Sequence, residues 1–119
     1  MKLNSIWKHI VSYYEELFQE GSDILPLLEL TKRIASSKYV ETIYPISYAH
    51  ALNLSKTADY QESLKKPSIS IRYMKNNKFD ISYLPNSMQT HNITKYVCHS
   101  SEVWSLLESL FLKLEIDSN

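Results

Sequence analysis

A chain of 119 residues with one glycine, Gly21, and one cysteine, Cys98, lacks the raw material for several kinds of chemistry. Phosphate-cradling loops need glycines in series, because only residues without a Cβ let backbone amides close on a phosphate. The P-loop and dinucleotide fingerprints are therefore excluded. One cysteine excludes an internal disulfide and suits a reducing compartment. Charge of one sign is missing as well: 13 Lys and Arg balance 13 Asp and Glu, so no overall field steers the chain to nucleic acid or anionic lipid. No apolar run approaches a membrane span, and the start, Met-Lys-Leu-Asn-Ser-Ile-Trp-Lys-His, holds no signal-peptide core. These absences point to a cytoplasmic protein with no membrane partner, folded as a single α+β domain over residues 1–119.

Catalytic and metal signatures are missing too. No Gly-x-Ser-x-Gly, His-Glu-x-x-His or kinase set occurs. Of the histidines, His9 lies beside the apolar stripe of a helix and His91 in a polar loop without a ligand at the right spacing. Cys98 and His99 are adjacent and leave a strand on opposite faces, which is poor geometry for one ion. Cys98 as a nucleophile would need a base such as His50 or His99 and a lowered pKa. A buried strand cysteine acting as a small hydrophobe is the commoner role. The expectation is no enzyme, no metal and no cofactor.

What the sequence does contain is a hairpin from Ser68 to Leu84. Ile69, Ile71 and Tyr73 alternate with polar residues, as do Phe79, Ile81 and Tyr83, which marks two strands with one buried face. A two-residue Asn76-Asn77 turn would set Tyr73 against Asp80 and Ile71 against Ser82, apolar against polar. A three-residue loop, Lys75-Asn76-Asn77, instead pairs Tyr73 with Phe79, Ile71 with Ile81 and Ile69 with Tyr83, and on the other face Arg72 with Asp80 and Ser70 with Ser82. Apolar patterning sets register, so the second pairing wins. Such a loop needs a left-handed residue at its end, which Asn77 supplies.

Around this hairpin the chain reads as helices and short strands. Ile6, Trp7, Ile10, Val11, Tyr14, Leu17 and Phe18 form one stripe of a helix from about Ser5 to Glu20, capped by Asn4 or Ser5 and stopped by Gly21. Ser22-Asp23 starts a second helix with Pro26 in its first turn, ending at Ser36-Ser37-Lys38. Tyr39 to Tyr44 is rich in β-branched and aromatic residues and looks extended, with Pro45 placing it at a sheet edge or ending it. Ala51 to Lys56 reads as a strand, whereas Ser47 to His50 suits either a strand or a helical turn. Thr57 to Pro67 is a surface connection with room for one helical turn. After Pro85 a loop runs through Met88 to Asn92, and Ile93 to Cys98 forms the last strand. Ser100 or Ser101 caps a final amphipathic helix with Val103, Leu106, Leu107, Leu110, Phe111 and Leu114 on one stripe and Trp104 at its border. The fold class is α+β: two N-terminal helices, an antiparallel sheet of three to four strands, and a C-terminal helix packed on the sheet.

Nine tyrosines against three phenylalanines is the unusual feature of composition, and Lys and Arg lead between Thr31 and Asp80. Aromatics among bases can stack on single strands, but no ribonucleoprotein motif accompanies them, so nucleic acid is disfavoured. Tyrosine also suits protein interfaces. The sequence thus favours a cytosolic protein-binding module, an adaptor or inhibitor-type accessory protein, with Tyr48 and Tyr60 as its candidate contacts and a second copy among the partners it allows. The alternative is a small-molecule or nucleic-acid binder with a cleft near His50, Tyr48 and Cys98.

Overall fold

Helix α1, Leu3–Gln19, ends on the glycine as its backbone geometry requires. Gly21 adopts φ 99°, its N–H donates to Phe18 O, and Ser22 N–H donates to Leu17 O, each at 3.0 Å. This pair of bonds satisfies two carbonyls left open by the last turn. The computed structural model describes residues 2–48, 50–85 and 92–118, without the side chains of residues 48 and 60. The loop expected through Met88 to Asn92 falls outside these residues except for Asn92.

Helix α2, Leu25–Ala35, carries Pro26 in its first turn and Lys32 and Arg33 in its last. Strands β1, Tyr44–Tyr48, β2, Ala51–Ser55, β3, Ser68–Tyr73, β4, Lys78–Leu84, and β5, Thr94–His99, form one antiparallel sheet in chain order. A single helical turn, α3 at Tyr60–Ser63, joins β2 to β3, and α4, Val103–Asp117, closes the chain. Among the described residues no helix is long and apolar enough to cross a membrane.

The hairpin register follows the apolar pattern, with Tyr73 opposite Phe79, Ile71 opposite Ile81 and Ile69 opposite Tyr83. Its tip closes with Met74 N–H donating to Lys78 O at 2.8 Å, and Asn76 as well as Asn77 is left-handed. Arg72 and Asp80 face each other at the Cα level, but the ion pairs among the described residues are Lys32–Glu15, Lys56–Glu115 and Lys113–Asp117.

The sheet has five strands rather than three or four. Ser47 and Tyr48 complete β1 instead of forming a helical turn, with Pro45 inside that edge strand. Tyr39 to Glu41 is not extended: Lys38–Glu41 is a 3₁₀ turn in which Tyr39 N–H donates to Ser37 Oγ at 3.2 Å. Tertiary packing overrides β-propensity there, since the Tyr39 ring lies 4.4 Å from that of Phe111 on α4. The expected side-chain caps of α1 and α4 do not form; Lys2 and Glu102 occupy those positions without a side-chain bond. Phe18, expected on the inner stripe of α1, is 42% exposed.

One face of the sheet is covered. Leu52, Leu54, Ile69, Ile71, Phe79, Ile81 and Tyr83 meet Trp7, Tyr14, Leu27, Ile34, Leu107, Leu110 and Leu114 from the helices in one buried cluster. Two polar staples fix α1 over it: Trp7 Nε1 donates to Ile43 O at 2.9 Å, and Tyr14 Oη donates to Ala51 O at 2.8 Å. These bonds satisfy buried groups that would otherwise cost about 1–3 kcal/mol each.

Candidate functional site

The β4–β5 pairing runs from Lys78 opposite His99 to Tyr83 opposite Thr94. Because Phe79, Ile81 and Tyr83 face the helices, their partners Cys98, Tyr96 and Thr94 share that face. Side chains alternate along a strand, so Lys95, Val97 and His99 stand on the other. That other face has no helix over it among the described residues. It carries Asn53, Ser70 and Ser82 in one row ending at Lys95, and Ala51, Arg72 and Asp80 in another ending at Val97. Val97 is 64% exposed.

The two edges of the sheet differ. At β1 the backbone includes Pro45, which has no N–H to offer, and α1 lies against this strand. β5 contains no proline and pairs, among the described residues, only with β4. Half of its N–H and C=O groups therefore point away from the sheet, which is the template a further strand needs. Beside it a cleft of about 520 Å³ opens against the first two turns of α4, lined by Tyr96, Val97, Cys98, Ser101, Glu102, Ser105 and Leu106.

The end of β5 is anchored. Ser100 N–H donates to Asn77 O at 2.7 Å, tying the β5–α4 turn to the hairpin tip. Ser101 N–H donates to His99 Nδ1 at 3.2 Å, and Ser101 Oγ lies 3.0 Å from the same nitrogen. Accepting a backbone N–H at Nδ1 leaves the neutral ring's proton on Nε2. Burial, and then the charge of Glu102, push the Cys98 thiol up from its ordinary pKa, so at neutral pH it is a thiol rather than the nucleophilic thiolate.

His50 and Cys98, singled out in the sequence, are not brought together. His50 is exposed in the β1–β2 turn, and its carbonyl accepts from Tyr73 N–H at 3.5 Å. Tyr73 pairs with Phe79 and Phe79 with Cys98, so His50 and Cys98 lie three strand spacings apart, about 14 Å. The rings of Tyr73 and Phe79, 5.5 Å between centroids, stand between them. Tyr48 occupies the register position opposite Ala51 and Tyr60 opens α3; their side chains lie outside the described atoms. His9 is exposed on α1, and His91 falls outside the described residues. Of the remaining tyrosines, Tyr14 and Tyr83 are buried with their hydroxyls donated. Among the described residues no three His, Cys, Asp or Glu side chains converge on a point that could hold a metal ion.

Two other surfaces compete with the β5 edge. A groove of about 610 Å³ separates α1 from the end of α2, floored by Trp7, Val11, Ala35 and Val40; Glu15 and Lys32, both on its rim, pair at 3.8 Å. On the outside of α4, Leu112 and Ile116 are 64% and 63% exposed. Neither offers a strand edge for a partner's backbone, since the amides inside these helices are bonded within them.

Lys95 and Val97, beside the β5 edge, were not among the residues singled out in the sequence. The signal was present: Tyr96-Val97-Cys98 is apolar on both faces of β5, and among the described residues no other strand covers its far edge. No family model, no curated protein and no solved structure matches this chain.

Proposed function

We propose that the chain is a protein-binding module, an adaptor or inhibitor-type accessory protein of the cytoplasm with no catalytic site of its own. It takes up an extended segment of its partner as a sixth strand along β5. Strand addition of this kind draws affinity from main-chain hydrogen bonds and specificity from pockets that receive alternate side chains. The observation that carries the reading is the outer edge of β5, unpaired among the described residues and lying beside a cleft. A strand laid along Thr94–His99 would satisfy the outward backbone groups and set its helix-facing side chains between Tyr96, Cys98 and Leu106. The rival reading, a small-molecule or nucleic-acid cleft near His50, Tyr48 and Cys98, has less to draw on with His50 and Cys98 about 14 Å apart.

The test is site-specific photocrosslinking in the cells that make the protein. A benzophenone side chain at position 97 should give a discrete adduct with another protein, and the same group at position 112 should not. Adducts from position 112 with none from position 97 would move the interface to α4.

A further inference from the structure

We infer that the segment taken up by β5 is acidic on one face, with carboxylates opposite Lys95 and His99 and a small residue opposite Val97. This rests on the reading of β5 as the binding edge. The outer face beside that edge carries Lys95, Val97 and His99, backed on β4 by Ser82, Asp80 and Lys78 and beyond Asp80 by Arg72 on β3. Arg72, Lys78 and Lys95 are exposed there, and the one carboxylate among them is Asp80. None of these four groups takes part in the three ion pairs of the described residues. The patch therefore presents more cations than carboxylates, none of them in an ion pair among the described residues, although the chain as a whole has no net charge.

Alternation fixes where the complement must stand. Lys95 and His99 flank Val97 on one face, so a partner strand needs carboxylates at two positions four residues apart. Its intervening helix-facing residues, opposite Tyr96 and Cys98, must be short and apolar to enter the cleft. Opposite charges across a strand pair attract, and like charges directly opposite repel. A second copy of this chain fits less well. Antiparallel pairing of β5 with itself about Val97 would set Lys95 against His99, and pairing about Tyr96 would set Lys95 against Val97; neither supplies a carboxylate.

Three blocked, fluorescent peptides with the cores Glu-Val-Thr-Val-Glu, Gln-Val-Thr-Val-Gln and Lys-Val-Thr-Val-Lys test this against the whole chain. The cores read alike in both directions, so strand polarity does not matter. Fluorescence anisotropy should show the Glu peptide binding about fivefold tighter than the Gln peptide, as one cross-strand charge pair at Lys95 and a hydrogen bond from His99 Nε2–H to a carboxylate allow, with the Lys peptide weakest. Added salt should erase the difference. Amide exchange should slow along β5 when the Glu peptide binds. The Lys95→Glu variant should reverse the order of the Glu and Lys peptides, and Lys95→Gln should level it. Equal binding of Glu and Gln peptides with β5 protected would overturn the acidic partner and leave the edge reading standing. Failure of every peptide to protect β5 would overturn both. A dimer in sedimentation equilibrium that Val97→Lys dissociates would put a second copy on the edge and overturn the acidic partner.

Discussion

Tyr83 reaches the far end of α4, where its hydroxyl donates to Asp117 Oδ2 at 2.8 Å. Lys113 Nζ lies 5.0 Å over its ring and 3.4 Å from the same carboxylate. Burial and then the bond to Asp117 push the phenol's pKa up, so it remains a donor. The Tyr83 bond, helped by Lys113, in turn holds Asp117 below its ordinary value. A carboxyl depressed in the folded state adds stability that is fully present above its unfolded pKa, about 3.9, and is lost as pH falls through the folded one. Tyr83→Phe should therefore lower stability at neutral pH by about 1 kcal/mol. It should also lose less stability than the parent on acidification below about pH 4. Urea melts at neutral and acid pH measure both, and equal acid sensitivity would mean that Lys113 alone holds Asp117. At Gly21 a Cβ would meet nothing within 4 Å. The cost of Gly21→Ala is thus the backbone strain of a positive φ alone, about 1–2 kcal/mol by thermal melt. No measurable change would mean that the turn relaxes to another conformation.

At the scale of elements, what could be read from the sequence was whatever local alternation decides. The Ser68–Leu84 register was legible because a one-residue slip would turn every apolar side chain to the wrong face. The stripe of α4 was legible for the same reason, and Val103, Leu107, Leu110, Phe111 and Leu114 are all buried. Leu107→Ala or Leu110→Ala should each destabilise by roughly 2–5 kcal/mol in urea. Less than about 0.5 kcal/mol at both would place the packing of α4 outside this chain. Residues 39–48 were not legible, because the contacts that shape them come from far away in sequence. Tyr39 turns back to reach Phe111, and Trp7 holds Ile43 across 36 positions. Arg72 and Asp80 were legible as cross-strand neighbours but not as an unbonded pair, since rotamers of exposed side chains leave no mark on the pattern. Their coupling in a double-mutant cycle should be no more than about 1 kcal/mol; a larger value would show a bonded pair in solution.

For the whole molecule, the proposed binding surface comes from counting faces and edges. Among the described residues three helices lie on one side of five strands, leaving a polar outer face and two edges, of which β1 is guarded by Pro45 and α1. The sequence pointed to tyrosines because aromatic composition is visible in a string of letters, whereas strand order is not. Only when β5 is known to end the sheet does Val97 acquire meaning. The most direct measurement is residue-resolved amide exchange on the isolated chain. If β5 is an open edge, every other amide from Thr94 to His99 should exchange close to the free-peptide rate. The amides of β3 and β4, paired on both sides, should stay protected to the limit of global unfolding. Uniform protection along β5 in the isolated chain would show the edge already covered and would contradict the proposed mode of binding.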